Sequence, residues 1–120
     1  MTRFVSLAVT LLLLVSLQRV SFAQTLTGTG FSAKILLDNP NVRVVQATWS
    51  PGGVQDMSKR PARTTYYLTD AALRRTYADG RTELVSYKAG DVDYRPADEV
   101  AYSLTNLGSS EARLIAFFAK

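Results

Sequence analysis

Ala72-Leu73-Arg74-Arg75-Thr76-Tyr77-Ala78-Asp79-Gly80-Arg81-Thr82-Glu83-Leu84-Val85-Ser86-Tyr87-Lys88 holds two alternating runs on either side of an Asp-Gly pair. Successive side chains of an extended strand point to opposite faces, so a period of two marks a half-buried strand. Asp79-Gly80 between two such runs is the residue choice of a two-residue type I′ hairpin. The stretch therefore predicts strands over Ala72–Ala78 and Arg81–Lys88 joined by a tight turn.

The same period extends outward in both directions. Ser32 to Leu37, Val42 to Trp49, Arg63 to Thr69, Val100 to Thr105 and Ala112 to Ala119 are further short runs rich in Val, Ile, Thr, Tyr and Phe. Turn-forming clusters separate them: Asp38-Asn39-Pro40-Asn41, Ser50-Pro51-Gly52-Gly53, Ala89-Gly90-Asp91, Arg95-Pro96 and Asn106-Leu107-Gly108-Ser109-Ser110. No run has the 3.6-residue period of an amphipathic helix, and no internal repeat is visible. The pattern predicts an all-β domain, an antiparallel sandwich or barrel, over residues 32–120.

A length of 120 residues fits one domain. The chain contains neither cysteine nor histidine. It can form no disulfide, no thiolate nucleophile and no zinc finger, and no Ser-His-Asp relay or imidazole metal ligand. Stability must come from the hydrophobic core alone.

Met1 to Ala23 reads as a secretory signal peptide. Arg3 supplies the positive start, Val5 to Leu17 an uncharged and mostly apolar run, and Ser21-Phe22-Ala23 the small residues before a cut between Ala23 and Gln24. The apolar run is short of the roughly 20 residues a bilayer span needs. This segment predicts a periplasmic or secreted bacterial protein, whose only membrane contact would be through the signal peptide if it stays uncleaved. Losing Arg3 and Arg19 lowers the net charge from +4 to +2, which argues against nucleic acid as a partner. Residues 24–31, with alternating Thr and Gly, are expected to be a flexible lead-in.

The order of landmarks, Leu36-Leu37-Asp38-Asn39-Pro40-Asn41-Val42-Arg43-Val44, Ser50-Pro51-Gly52-Gly53, the Asp79-Gly80 hairpin, Lys88-Ala89-Gly90-Asp91-Val92, Pro96-Ala97 and Asn106-Leu107-Gly108, resembles the small single-domain cupins of the RmlC-like jelly-roll superfamily. The resemblance spans about Ile35 to Lys120. It implies a double-stranded β-helix, a jelly-roll β-barrel whose interior holds a ligand or a metal, and a homodimer as the possible assembly. It also implies where metal ligands would stand. Counting from Gly52, the family's two first-motif histidines fall on Ser58 and Arg60, and its acidic ligand on Thr64 or Thr65. The third histidine falls on Ala101 or Tyr102. None of these is an imidazole or carboxylate, so no metal and no cofactor is expected.

The residues expected to line the interior in place of that site are Ser58, Arg60, Thr64 and Tyr102, with Arg63, Tyr66 and Arg95 beside them. A guanidinium binds carboxylate or phosphate through paired hydrogen bonds, so Arg60 and Arg63 are candidate anchors for an anionic ligand. The competing reading is that they are solvated charges on loops and edge strands. Tyr66 and Tyr67 are adjacent, so only one of them can face inward. Trp49 is expected to plug one end of the barrel. Asp98 and Glu99 read as solvated loop charges. Three functions are consistent with these residues: a metal-free module binding a small molecule such as an anion; an isomerase- or lyase-type enzyme using Tyr102 as acid or base; and a structural or partner-binding barrel with a solid interior.

Overall fold

The computed structural model describes residues 26–120. The expected signal peptide and its cleavage site lie outside the described residues. Eight strands account for most of the described chain: β1 Gly28–Asp38, β2 Val42–Ser58, β3 Arg63–Tyr67, β4 Ala71–Tyr77, β5 Thr82–Tyr87, β6 Val92–Arg95, β7 Tyr102–Asn106 and β8 Ala112–Ala119. Every pairing is antiparallel.

β2 organises the barrel because it takes part in both of its walls. Its first half pairs with β1 on one side and β8 on the other, and β8 continues through β3 to β6. Its second half pairs with β7, which continues through β4 to β5. The change of wall occurs at Ser50-Pro51-Gly52-Gly53, which the sequence suggests is a break between strands. Instead the chain bends there and stays extended, with Gly52 at φ 75°. Gly53 is needed for another reason. A Cβ on it would stand 2.2 Å from the Gly30 carbonyl oxygen, where β1 crosses the bend. Gly53→Ala is therefore expected to destabilise the domain by about 1–3 kcal/mol through overpacking. A thermal midpoint equal to that of the wild type would contradict this close approach.

Two further expectations change. β1 starts at Gly28, so Gly28 to Phe31 of the expected lead-in are paired with β2 rather than free. The Asp79-Gly80 hairpin is real, but its turn is not type I′, which needs positive φ at both central residues. Gly80 alone has positive φ, 93°. Its N–H donates to Tyr77 O, and the Tyr77 N–H donates to Arg81 O, so the loop has three residues with Gly80 as a bulge. Asp79 favours this form by accepting the Arg81 N–H at 3.1 Å.

The inward faces of the two walls make one core. Val45, Ala47 and Trp49 of β2 lie beside Ala116, Leu114 and Ala112 of β8, and face Leu104, Leu73 and Tyr102 of the opposite wall. On the outer face of the first wall, Phe117, Tyr66, Val92 and Tyr94 are exposed.

Candidate functional site

The cross-strand register sorts the interior of the first wall into levels. Arg63 of β3 stands opposite Arg95 of β6. The next inward level along β3 holds Thr65 beside Ala116 and Val45, and the one after holds Tyr67 beside Leu114 and Ala47. Trp49 and Phe31 form the far level, with their rings 4.8 Å apart. The opposite wall runs the same way. Tyr102 lies opposite Ser58 and Tyr77, the next level holds Arg75, Leu104 and Gln55, and the next Leu73 and Asn106. One end of the interior is thus built from arginines and a tyrosine, and the other mainly from apolar groups, with the Asn106 amide engaged by the Trp49, Ser50 and Ser110 carbonyls.

Tyr102, 2% exposed, is the centre of the charged end. The Arg60 guanidinium lies over its ring at 3.9 Å. Arg60 donates to Tyr102 O at 2.9 Å, to Ser58 O at 3.2 Å and to Gln55 Oε1 at 3.0 Å. Burial lowers its pKa to about 10 against the favourable influence of Tyr102 and Asp98, so it remains a cation at neutral pH. Arg63 donates to the Tyr102 hydroxyl at 2.5 Å, to Asp98 Oδ1 at 3.2 Å and to Pro61 O at 3.2 Å. Asp98 also accepts the Arg60 backbone N–H at 2.9 Å, and its side chain is 5% exposed. It is a buried counter-ion to two arginines, not the solvated loop charge expected from the sequence.

Arg75 lies within a run whose pattern does not mark it as a site residue. It lies on β4, 3% exposed, paired with Glu83 at the rim and 3.3 Å from the Tyr87 hydroxyl. Burial works against its charge, but Tyr102, Tyr87 and Glu83 raise its pKa above the ordinary guanidinium value. Tyr87 stacks on Tyr67 with centroids 4.0 Å apart and donates to Asp93 at 3.2 Å. Burial raises the Tyr67 pKa, so this phenol stays neutral.

These groups surround a cavity of about 70 Å³. Arg60, Arg63, Arg75 and Arg95 line it together with Gln55, Thr65, Tyr67 and Tyr102, while Phe31, Val45, Trp49, Leu73, Leu104 and Phe118 are among its apolar lining. Among the described residues, no carboxylate lines it. Two of the arginines keep unmet donors: the Nε atoms of Arg75 and Arg95 are buried without a hydrogen-bond partner. The cross-strand pairing of Arg63 with Arg95 adds like-charge repulsion at the same end.

Of the expected site residues, the structure brings Arg60, Arg63, Arg95 and Tyr102 to the cavity. Ser58 is buried next to Tyr102 in the strand register but does not line the cavity, and its hydroxyl has no partner. Thr64 and Tyr66 need correction. The β3 register turns both to the outer face, toward Phe117 and Val92 respectively, and the inward residues are Thr65 and Tyr67. One position decides the matter, because a slip of one residue exchanges the faces of a strand. Arg75 could have been found from its alternation with Ala71 and Leu73, which are buried on the same face of β4.

The positions that the family resemblance assigns to metal ligands partly converge, since Ser58, Arg60 and Tyr102 are neighbours. Their chemistry does not fit a transition metal. Arg60 brings a positive charge and hydrogen-bond donors, and Arg63 reinforces it. Among the described residues, no three His, Cys, Asp or Glu side chains stand together.

No protein-family model and no curated protein matches the chain. Solved structures do. A cupin domain from Bordetella pertussis Tohama I superposes with a TM-score of 0.70 at 19% identity, over 78% of this chain and 97% of that one. An RmlC-like cupin family protein with a double-stranded β-helix fold from Methanocaldococcus jannaschii gives 0.59 at 17% identity, over 78% and 81%. The polyketide cyclase RemF from Streptomyces resistomycificus gives 0.58 at 17% identity, over 77% and 66%. At these identities the likeness carries the fold. Together with the two walls that share β2, it shows that the described residues adopt the cupin fold, a jelly-roll β-barrel of double-stranded β-helix architecture.

Proposed function

We propose that this cupin domain is a metal-free binding module for a small anion in the periplasm or outside the cell. The observation that carries this reading is a cavity lined by four arginines and no carboxylate, with buried donors on Arg75 and Arg95 left unmet. A buried donor without a partner costs about 1–3 kcal/mol, and more when charged. A bound carboxylate or phosphate oxygen would satisfy both groups and offset the Arg63–Arg95 repulsion. Arg60 has a different part in this scheme, because its terminal nitrogens are already engaged by Tyr102 O, Ser58 O and Gln55. It supplies field, while Arg75 and Arg95 supply the hydrogen bonds.

The isomerase or lyase alternative has less support. The polyketide cyclase with this fold is an enzyme, but here the cavity offers Tyr102 neither a carboxylate nor an imidazole as a partner for proton transfer. A solid interior is disfavoured by the cavity itself.

The test is a thermal-shift titration with inorganic phosphate, sulfate and small carboxylates. A ligand at a hundredfold excess over its Kd stabilises by about 2.7 kcal/mol, which in a domain of this size raises Tm by about 10–20 °C. Arg75→Met and Arg95→Met are expected to remove the shift, and Arg113→Met on the outer surface to leave it intact. Absence of a shift with every anion in the wild-type protein would overturn the proposal.

A further inference from the structure

The cavity has two chemically distinct ends, and a bare anion uses only one of them. From the Arg63–Arg95 level, the lining passes through Thr65 and Arg75 to Leu104, Leu73 and the Phe31–Trp49 pair. The apolar end is already dry on its walls: Trp49 and Leu73 are each 2% exposed. The Trp49 N–H donates to Leu104 O at 3.1 Å, so the indole presents no free polar atom to a ligand. Inorganic phosphate held at the arginine end would leave this apolar surface facing a void or poorly bonded water, and such surface gains by contact with carbon.

We infer that the ligand is an amphiphilic monocarboxylate, with its carboxylate held by Arg75 and Arg95 and a short apolar chain directed along the barrel toward Leu73, Phe31 and Trp49. This rests on the anion-binding reading and adds the class of molecule. One charge suffices at the head, because Asp98 already offsets part of the field of Arg60 and Arg63. A second carboxylate on the chain would be driven into the apolar end, where no donor remains to receive it. The small volume limits the chain: once it fills the space before Trp49, a further methylene overpacks the core.

The experiment measures Kd by calorimetry for sodium acetate, propanoate, butanoate, pentanoate, hexanoate and octanoate, with phosphate and succinate as comparators, on the full protein. Burial of each methylene is expected to tighten binding by about three- to fourfold until the cavity is full, after which affinity falls. Succinate is expected to bind more weakly than butanoate, which has the same number of carbons. Arg95→Met should weaken all the acids alike and leave the slope with chain length unchanged. Leu73→Ala should reduce the slope while leaving acetate unaffected; if that variant fails to fold, Leu104→Val serves the same purpose. Equal affinities for phosphate, acetate and hexanoate would overturn the amphiphile inference while leaving anion binding in place. Failure of every anion to bind would overturn both.

Discussion

Asp98→Ala is expected to destabilise the folded domain by about 3–5 kcal/mol, measured by urea denaturation at neutral pH. The magnitude follows from what the carboxylate does. It lies in the loop between β6 and β7 with its side chain 5% exposed, bonded to Arg63 at 3.2 Å and to the Arg60 backbone N–H at 2.9 Å. Its removal leaves two buried guanidinium groups without their shared counter-ion and beside two further arginines. Burial is already the largest influence lowering the Arg60 pKa, so the loss falls on a cation that is costly to keep charged. Asp98→Asn keeps an acceptor for the Arg60 N–H and is expected to cost less than Asp98→Ala. The double variant Asp98→Ala with Arg63→Met should recover part of the loss, because it removes one of the stranded charges; neighbouring sites of this kind are not additive. An Asp98→Ala domain as stable as the wild type would mean that the arginine cluster is solvated, and the anion-binding reading would lose its physical basis.

That prediction rests on a residue whose role the sequence conceals. The period of two marks the strands well because each has one face on the core. Thus Ala112–Ala119 appears with the bounds expected for it, and β1, β3, β4, β5 and β7 with shifts of a few residues. β6 is not visible as a run of its own, since Val92–Arg95 is only four residues long and lies between two turn signals. The continuous β2 is hidden for a related reason. Pro and Gly punctuate a chain, but Gly52 and Gly53 also allow a strand to bend from one wall to another without stopping, and composition alone does not separate these uses. The site is legible in kind but not in register. Arg60 and Tyr102 are pointed to by the family resemblance, and Arg63 and Arg95 by their places next to its landmarks, whereas the choice between Thr64 and Thr65, or Tyr66 and Tyr67, turns on a single-residue phase that the pairing of β3 with β8 fixes. Arg75 is hidden by convention: an arginine within a run containing Arg74 reads as surface charge, and only the burial of Ala71 and Leu73 on its face shows that it points inward. Asp98 is hidden because its partners are 35 and 38 residues away.

Trp49→Ala is the substitution expected to cost as much at the opposite end of the cavity, about 3–5 kcal/mol. Trp49 is 2% exposed, packs against Phe31 and joins the two walls by hydrogen bonds in both directions. Its indole N–H donates to Leu104 O at 3.1 Å, and Asn106 of the same strand donates back to Trp49 O at 3.3 Å. Alanine removes the indole volume and the hydrogen bond it donates to the Leu104 carbonyl, so a cavity term and a lost hydrogen bond act together. Trp49→Phe retains an aromatic ring at the level of Phe31 while losing the hydrogen bond to Leu104 O, at an expected cost of about 0.5–1.5 kcal/mol. Because the indole closes the end of the cavity farthest from Arg63 and Arg95, Trp49→Phe has a second consequence that a purely structural role would not produce. The chain length at which carboxylate binding stops improving should move upward, with phosphate affinity unchanged, since the arginine end is not altered. An unchanged limit would place the chain's terminus away from Trp49, and the apolar path from Arg95 to the indole would then have to be abandoned.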